Sequence, residues 1–83
     1  MENKHLTELE IRKNLALNLR YLRKSHSKVS QTTLARILNI PVKTIRNYEQ
    51  EKSSPLAHVV WLISKYYECT MEELLTQTLV KKG

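Results

Sequence analysis

Eighty-three residues, 41% of them hydrophobic, suffice for one domain that buries roughly 60% of its unfolded chain's surface, and leave no room for an enzyme cleft between two domains. A lone cysteine, Cys69, excludes an intrachain disulfide and a thiolate metal cage, and fits a reducing cytosol as a small apolar core residue. Fourteen lysines and arginines outnumber eight acids, for a formal charge of +6. The whole excess lies between residues 20 and 52, where Arg20, Arg23, Lys24, Lys28, Arg36, Lys43, Arg46 and Lys52 face only Glu49 and Glu51; the remainder holds six of each sign. Such a segment is the electrostatic footprint expected opposite a polyanion, and a basic face that meets only solvent is the equal alternative from charge alone.

In chain order, the opening MENKHLTELEIRKN is charged throughout, and no segment approaches the roughly 18 apolar residues that span a bilayer, so a soluble, cytoplasmic chain without membrane contact is expected. Thr7 and Glu10 form a Ser/Thr-x-x-Glu capping box, which predicts a first helix from Thr7 to about Lys24. Ile11, Leu15, Leu19 and Leu22 make its core stripe; Leu9 and Leu17 fall beside it, so part of the N-terminal half covers something other than the main core. Residues 25–30 read as a loop, with His26 solvated rather than a ligand because no other His, Cys or carboxylate stands at metal spacing.

Ser30 to Pro55 reads as two short helices joined by a tight turn. Leu34, Ala35, Leu38, Ile40, Ile45 and Tyr48 point to one core, and Ala35 is small enough for the helices to cross closely. Asn39 sits where the chain reverses and tolerates a left-handed backbone better than any residue but Gly; Pro41 suits the first turn of the next helix. The outer face of that helix carries Val42, Lys43, Thr44, Arg46, Asn47 and Gln50, the residue types that meet base edges and phosphates in a major groove. Pro55 opens a fourth helix with Leu56, Val60, Ile63 and Tyr67 inward and Val59, Trp61, Leu62 and Tyr66 on the other side, apolar nearly all round. Thr70 caps a fifth helix over residues 71–80, with Glu72 and Glu73 in its first turn, followed by a frayed tail.

Several short motifs stand in order: Leu19 to Arg23 (LRYLR), Ser30 to Ala35 (SQTTLA), Leu38 to Ile40 (LNI), Thr44 to Glu49 (TIRNYE), Pro55, and Thr70 to Leu75 (TMEELL). With these, residues 15–75 resemble the phage-repressor and Cro-type helix-turn-helix family, also called the xenobiotic-response-element type. The resemblance implies an all-α, five-helix, lambda-repressor-like domain over residues 1–83, with residues 1–14 extending the first helix and 76–83 ending the last. It implies that Gln31 puts its side chain and backbone N–H on a phosphate at the positive end of the second helix. Val42, Lys43, Thr44 and Asn47 would contact bases: Asn suits adenine N6 and N7, Lys suits guanine O6 and N7, and Val covers a thymine methyl. Arg46, Lys52, Ser53 and Ser54 would hold phosphates, and Arg23 and Glu49 would tie the first helix to the end of the recognition helix. The chain departs from the family pattern in four places. Asn39 replaces a common Gly; Pro41 replaces a common Ser and its N-cap hydroxyl, a loss of roughly 1 kcal/mol. Glu51 replaces the usual Gly, so it either strains or takes another path, and the loop between Arg23 and Gln31 is one residue longer than usual.

The function expected is that of a sequence-specific DNA-binding transcriptional regulator, a repressor that binds a two-fold operator as a homodimer, with no cofactor, metal or small-molecule ligand. One short helix reads only a few base pairs, so selectivity needs two half-sites about 34 Å apart. Trp61, Leu62 and Tyr66 with Leu75, Leu79 and Val80 offer a dimer surface; packing of the same residues on the extended first helix is the equal alternative. A protein-interaction module, antitoxin-like or adaptor, is the competing function. An enzyme is not expected: His5, His26 and His58 lie in separate segments without a nucleophile or paired carboxylate beside them.

Overall fold

The computed structural model describes residues 5–80, and the frayed tail expected at residues 81–83 lies outside them. Helix α1 (Glu8–Tyr21) starts where its capping box places it: the Glu10 N–H donates to Thr7 Oγ1 at 3.1 Å, and the Thr7 N–H donates to Glu10 Oε1 at 2.8 Å. Its end differs from expectation. The helix continues past Lys24 as a π-helical turn over Leu22–Ser27, and only residues 28–30 form a loop. The wider turn takes up one more residue than an α-turn would, so the additional residue of this connection lies inside the helix. The Ser27 hydroxyl donates to the Arg23 carbonyl at 3.0 Å, the Val29 N–H donates to the same oxygen at 3.2 Å, and Lys28 closes the turn in the left-handed conformation, φ 56°.

Helices α2 (Gln31–Leu38) and α3 (Val42–Glu49) follow, then α4 (Ala57–Tyr67) and α5 (Met71–Thr76). Ser30 caps α2 by accepting from the Thr33 N–H, and Thr70 with Glu73 repeats the capping box at α5. Helix α1 lies centrally, packed on α5 along one side and on α3 along another. The core is continuous: Leu15, Leu19 and Leu22 meet Leu34, Ala35, Leu38, Ile45, Tyr48, Val59, Val60, Ile63 and Leu74, with Ile40 half-buried against it. Burial of about a dozen such side chains, each favourable by roughly 1.5–3 kcal/mol for the larger ones, is the main force that sets the helices against one another.

The phase of α4 corrects the sequence reading. Leu56, expected inward, is exposed because it precedes the first turn as N-cap; Val59, expected on the spare side, is buried beside Val60 and Ile63. The helix therefore has one buried face, and its solvent side carries Ala57, His58, Trp61 and Lys65. The N–H of Leu56 finds its partner in the core, donating to the Tyr48 hydroxyl at 2.8 Å. Helix α5 is also shorter than expected, ending at Thr76 rather than running to Val80. The chain turns extended at Gln77 (φ −124°, ψ 165°) because side chains of α1 take over the carbonyls that would continue the helix.

Asn18, buried to 1% exposure, is the main one. Its Nδ2 donates to the Leu74 carbonyl at 2.9 Å and the Gln77 carbonyl at 2.7 Å, and its Oδ1 accepts from the Leu79 N–H at 2.8 Å. Asn14 adds a bond to the Leu75 carbonyl at 2.9 Å. Replacing Asn18 by Leu leaves the buried Leu74 carbonyl and the part-buried Gln77 carbonyl and Leu79 N–H without these partners, which costs about 2–3 kcal/mol after partial relaxation. Thermal unfolding followed by circular dichroism is expected to show a midpoint lowered by roughly 10–20 °C; a change below about 3 °C would remove Asn18 from this role.

Candidate nucleic-acid interface

The joint between α2 and α3 is built from small apolar contacts and one left-handed residue. Leu34, Ala35 and Leu38 from α2 bury against Ile45 of α3, and Asn39, φ 57°, turns the chain between them. The Asn39 N–H donates to Arg36 O at 3.1 Å and the Ile40 N–H to Ala35 O at 3.0 Å, a paired closure of the helix end. Pro41 stands at the N-cap of α3 without a side-chain cap, and the first bond of the helix runs from the Thr44 N–H to the Pro41 carbonyl at 3.0 Å. Ile45, Tyr48 and Glu49 face inward. Opposite them, Lys43, Asn47 and Gln50 follow one another along the outer line of the helix, Lys43 and Gln50 exposed and Asn47 half-exposed, with Arg46 exposed beside them. Thr44 is half-buried, and half-buried Val42 also packs against the core.

The end of α3 is fixed by charge. Glu49, 3% exposed, accepts from Arg23 twice, Nε to Oε2 at 2.7 Å and Nη2 to Oε1 at 2.9 Å, a bidentate buried pair. Arg23, itself buried, also donates from Nη1 to the Val29 carbonyl at 3.0 Å, and its guanidinium is raised above its ordinary value chiefly by the hydrogen bond to Glu49, against the opposing effect of burial. Arg20, one helical turn before Arg23, donates from Nη2 to the Glu49 carbonyl at 2.6 Å and so caps the C-terminus of α3. The sequence reading did not single out Arg20 in this role, although its i, i+3 spacing to Arg23 placed the two on one face.

Gln31, expected to reach a phosphate, opens α2 as anticipated, but its Nε2 donates to Glu49 Oε1 at 2.9 Å. Its side chain is therefore held by the ion pair, and its second amide hydrogen and the first-turn backbone N–H groups of α2 are what it presents outward. Ser54, also expected on a phosphate, lies against α1: its hydroxyl bonds the Glu8 carboxylate and accepts from Arg12 Nη2 at 3.0 Å. Glu8 and Arg12 pair at 2.6 Å, and the Glu8 carboxyl is lowered below its ordinary value by the Ser54 hydroxyl first and Arg12 second. Ser53 is half-buried and Lys52 exposed.

Glu51, where the resemblance leads one to expect glycine, takes the strained left-handed path rather than another route. It is left-handed, φ 60°, with its N–H on Tyr48 O at 3.2 Å and the Lys52 N–H on Asn47 O at 2.8 Å, and its carboxylate projects into solvent at the end of α3. Of the two ion pairs among the described residues, one holds Arg12 and the other Arg23. Lys43, Arg46 and Lys52 are thus unpaired by carboxylates there and set a positive potential around the outer face of α3.

Of the residues offered as a dimer surface, Leu62, Leu75 and Leu79 are half-buried and pack against the core; Trp61, Tyr66 and Val80 are exposed, Trp61 beneath Lys65 Nζ at 5.6 Å from its ring centroid. Leu79 and Val80 belong to the non-helical segment after α5. Cys69 is half-buried against the core, and burial pushes its thiol above its ordinary value, which makes it a poor nucleophile. Among the described residues no group of three His, Cys, Asp or Glu stands close enough to hold a metal ion, and no helix is long and apolar enough to cross a membrane.

A helix-turn-helix family model matches residues 19–74, more than half of the chain and the whole of the α2–α3 unit. The chain belongs to the helix-turn-helix family of the Cro and phage-repressor type. It is a DNA-binding transcription regulator of that family. Searches among curated proteins and among solved structures gave no match. The family match begins within α1 and leaves outside it the half-helix that carries Glu8, Arg12 and Asn14, so the contacts of that half-helix with Ser54 and with the α5 end come from outside the matched residues.

The left-handed Glu51 carries a cost of about 1 kcal/mol that glycine would not incur, partly offset by the greater freedom of glycine in the unfolded chain. Glu51→Gly is accordingly expected to stabilise the fold by about 0.5 kcal/mol, a rise of roughly 2–4 °C in the thermal midpoint. A fall in the midpoint would show that the Glu51 side chain makes a favourable contribution that outweighs its backbone strain.

Proposed function

We propose that this domain is a sequence-specific repressor that reads a two-fold operator as a homodimer, with α3 in the major groove of each half-site. The observation that carries the reading is the outer face of α3: Lys43, Asn47, Arg46 and Gln50 project from a helix whose other side and C-terminus are anchored to α1, and among the described residues no carboxylate pairs with its cations. Asn47 and Lys43 are the base readers, Asn47 for adenine and Lys43 for guanine, with Val42 against a thymine methyl and Thr44 at the edge of the groove. Arg46 and Lys52 neutralise phosphates on either side. Gln31 acts from the start of α2, where the free N–H groups and the helix dipole favour an anion; its bond to Glu49 fixes the orientation of the amide that the phosphate meets. Ser53 adds a hydroxyl to the same strand; Ser54 does so only by leaving Glu8 and Arg12. Glu51 opposes phosphate approach near the end of α3 and lowers affinity for any duplex alike.

Repression then follows from occupancy of promoter DNA, in the compartment that holds it. A protein-interaction module on the same fold is favoured by one feature, the exposed Trp61 with Leu56 on the α4 side, and disfavoured by the unneutralised face of α3. Gel filtration with a candidate protein partner beside binding to random-sequence DNA separates the two.

Selection of bound sites from random duplexes is expected to return a symmetric site with half-sites about 34 Å apart. On that site, Asn47→Ala is expected to erase discrimination at one or two base positions at a cost of roughly 1–3 kcal/mol, whereas Gln31→Ala weakens all sequences alike. If both variants bind the selected site as the parent does, α3 is not the reading helix.

A further inference from the structure

The N-terminal half of α1 turns one side away from the core; there Glu10 caps the helix and Asn14 bonds the Leu75 carbonyl, while Lys13 and Leu17 make none of the contacts described above. Leu6, just before the cap, and Glu10, Lys13 and Leu17 line one groove of about 410 Å³, walled on its other side by Thr76 and Thr78. Leu17 is 40% exposed there, and Leu9, two turns earlier and outside the groove, is 71% exposed, the most exposed large apolar side chain of the described residues. Neither Glu10 nor Lys13 is in an ion pair among the described residues; Glu10 uses Oε1 for the Thr7 cap and leaves Oε2 free.

The order of these residues is palindromic in spacing and complementary in charge: apolar, acidic, basic, apolar at intervals of four, three and four. Two such faces laid antiparallel about a two-fold axis between residues 11 and 12 bring Leu6 opposite Leu17 of the other copy and Glu10 opposite Lys13, with both pairs made twice. Isologous pairing of this kind is what a closed two-fold dimer requires, and spacings of four and three keep the contact on one side of a helix. Pairing in the same direction would instead set Glu10 against Glu10 and Lys13 against Lys13. We propose that this face of α1 is the homodimer interface, a second copy of the chain being its occupant. The sequence-based candidate on α4 loses Leu62, Leu75 and Leu79 to the protein's own core, whereas on the α1 face Leu17 is exposed and Leu6, though half-buried, is not packed against that core. The proposal supplies the second half-site reader that the operator reading needs, and its test contains no DNA, so the two can fail separately.

The test is sedimentation equilibrium of the full chain from 1 to 300 µM, with far-UV circular dichroism to verify folding. The parent is expected to approach twice the 9.8 kDa chain mass, and Leu17→Glu to remain at the monomer mass with dimer affinity lowered at least tenfold. Lys13→Glu and Glu10→Lys each set like charges opposite one another and are expected to be monomeric alone, yet to form a one-to-one heterodimer when mixed, because the two altered faces complement each other. This mixing experiment also guards against a variant that only disturbs the helix, since loss of folding cannot be rescued by the other chain. A parent that stays monomeric throughout, a Leu17→Glu variant as dimeric as the parent, a mixture with no heterodimer, or dissociation by Trp61→Glu in place of Leu17→Glu overturns the proposal.

Discussion

One buried carboxylate organises the working part of this molecule. Glu49 is the last residue of α3, and a carboxylate so deeply buried persists as an anion only if its oxygens are satisfied. Two N–H groups of Arg23 and one of Gln31 do so, while Arg20 takes the backbone carbonyl of the same residue. Helices α1, α2 and α3 thereby converge on a single residue. Helix α3 is fixed in position at its C-terminus by charge, and along its inner side by Ile45 and Tyr48 in the core. A helix held at both places can present its outer side chains without ordering itself anew on each encounter, which lowers the entropic cost of association.

Around that anchor the chain solves its helix ends without glycine. The one glycine of the sequence is Gly83, so Lys28, Asn39, Glu51 and Glu68 supply the left-handed residues that close the π turn, α2, α3 and α4. Asparagine tolerates this conformation; lysine and glutamate tolerate it less, and each costs about 1 kcal/mol or slightly more. The apolar contacts that follow three of these turns, Val29, Ile40 and Cys69 against the core, help to hold the closures in place. The π turn serves the same end: it brings Val29 onto Arg23 and so places Ser30 where it can cap α2.

What could be read from the sequence was whatever depends on neighbours along the chain. The caps at Thr7 and Thr70 need only residues three positions away, and the inward residues of α2 and α3 follow helical spacing. The Arg23–Glu49 pair is separated by 26 positions and was legible through the family resemblance, not through spacing. Asn18 was illegible because its partners are backbone groups near the other end of the chain, and a polar residue within an apolar stripe looks like an exposed one. The phase of α4 was misread because it depends on which residue begins the helix; with Leu56 as cap, Val59 rather than Leu56 turns inward. Ser54 was assigned to phosphate for want of any local sign that Glu8 and Arg12, more than 40 positions earlier, would meet it.

The functional reading combines a rigid support with an unneutralised outer face, and both parts trace back to the same pair of charges. Had Glu49 been exposed, it would have lowered the potential of the α3 surface; buried against Arg23, it removes its own charge from that surface and braces the helix. The most direct measurement of this claim is a double-mutant cycle on Arg23→Ala and Glu49→Ala, read as unfolding free energy in urea. The account predicts that each single change costs about 3 kcal/mol or more, with a coupling energy above about 1.5 kcal/mol, because either one strands a buried charge. Independent, additive losses below about 1 kcal/mol each, as for an exposed ion pair, would contradict it.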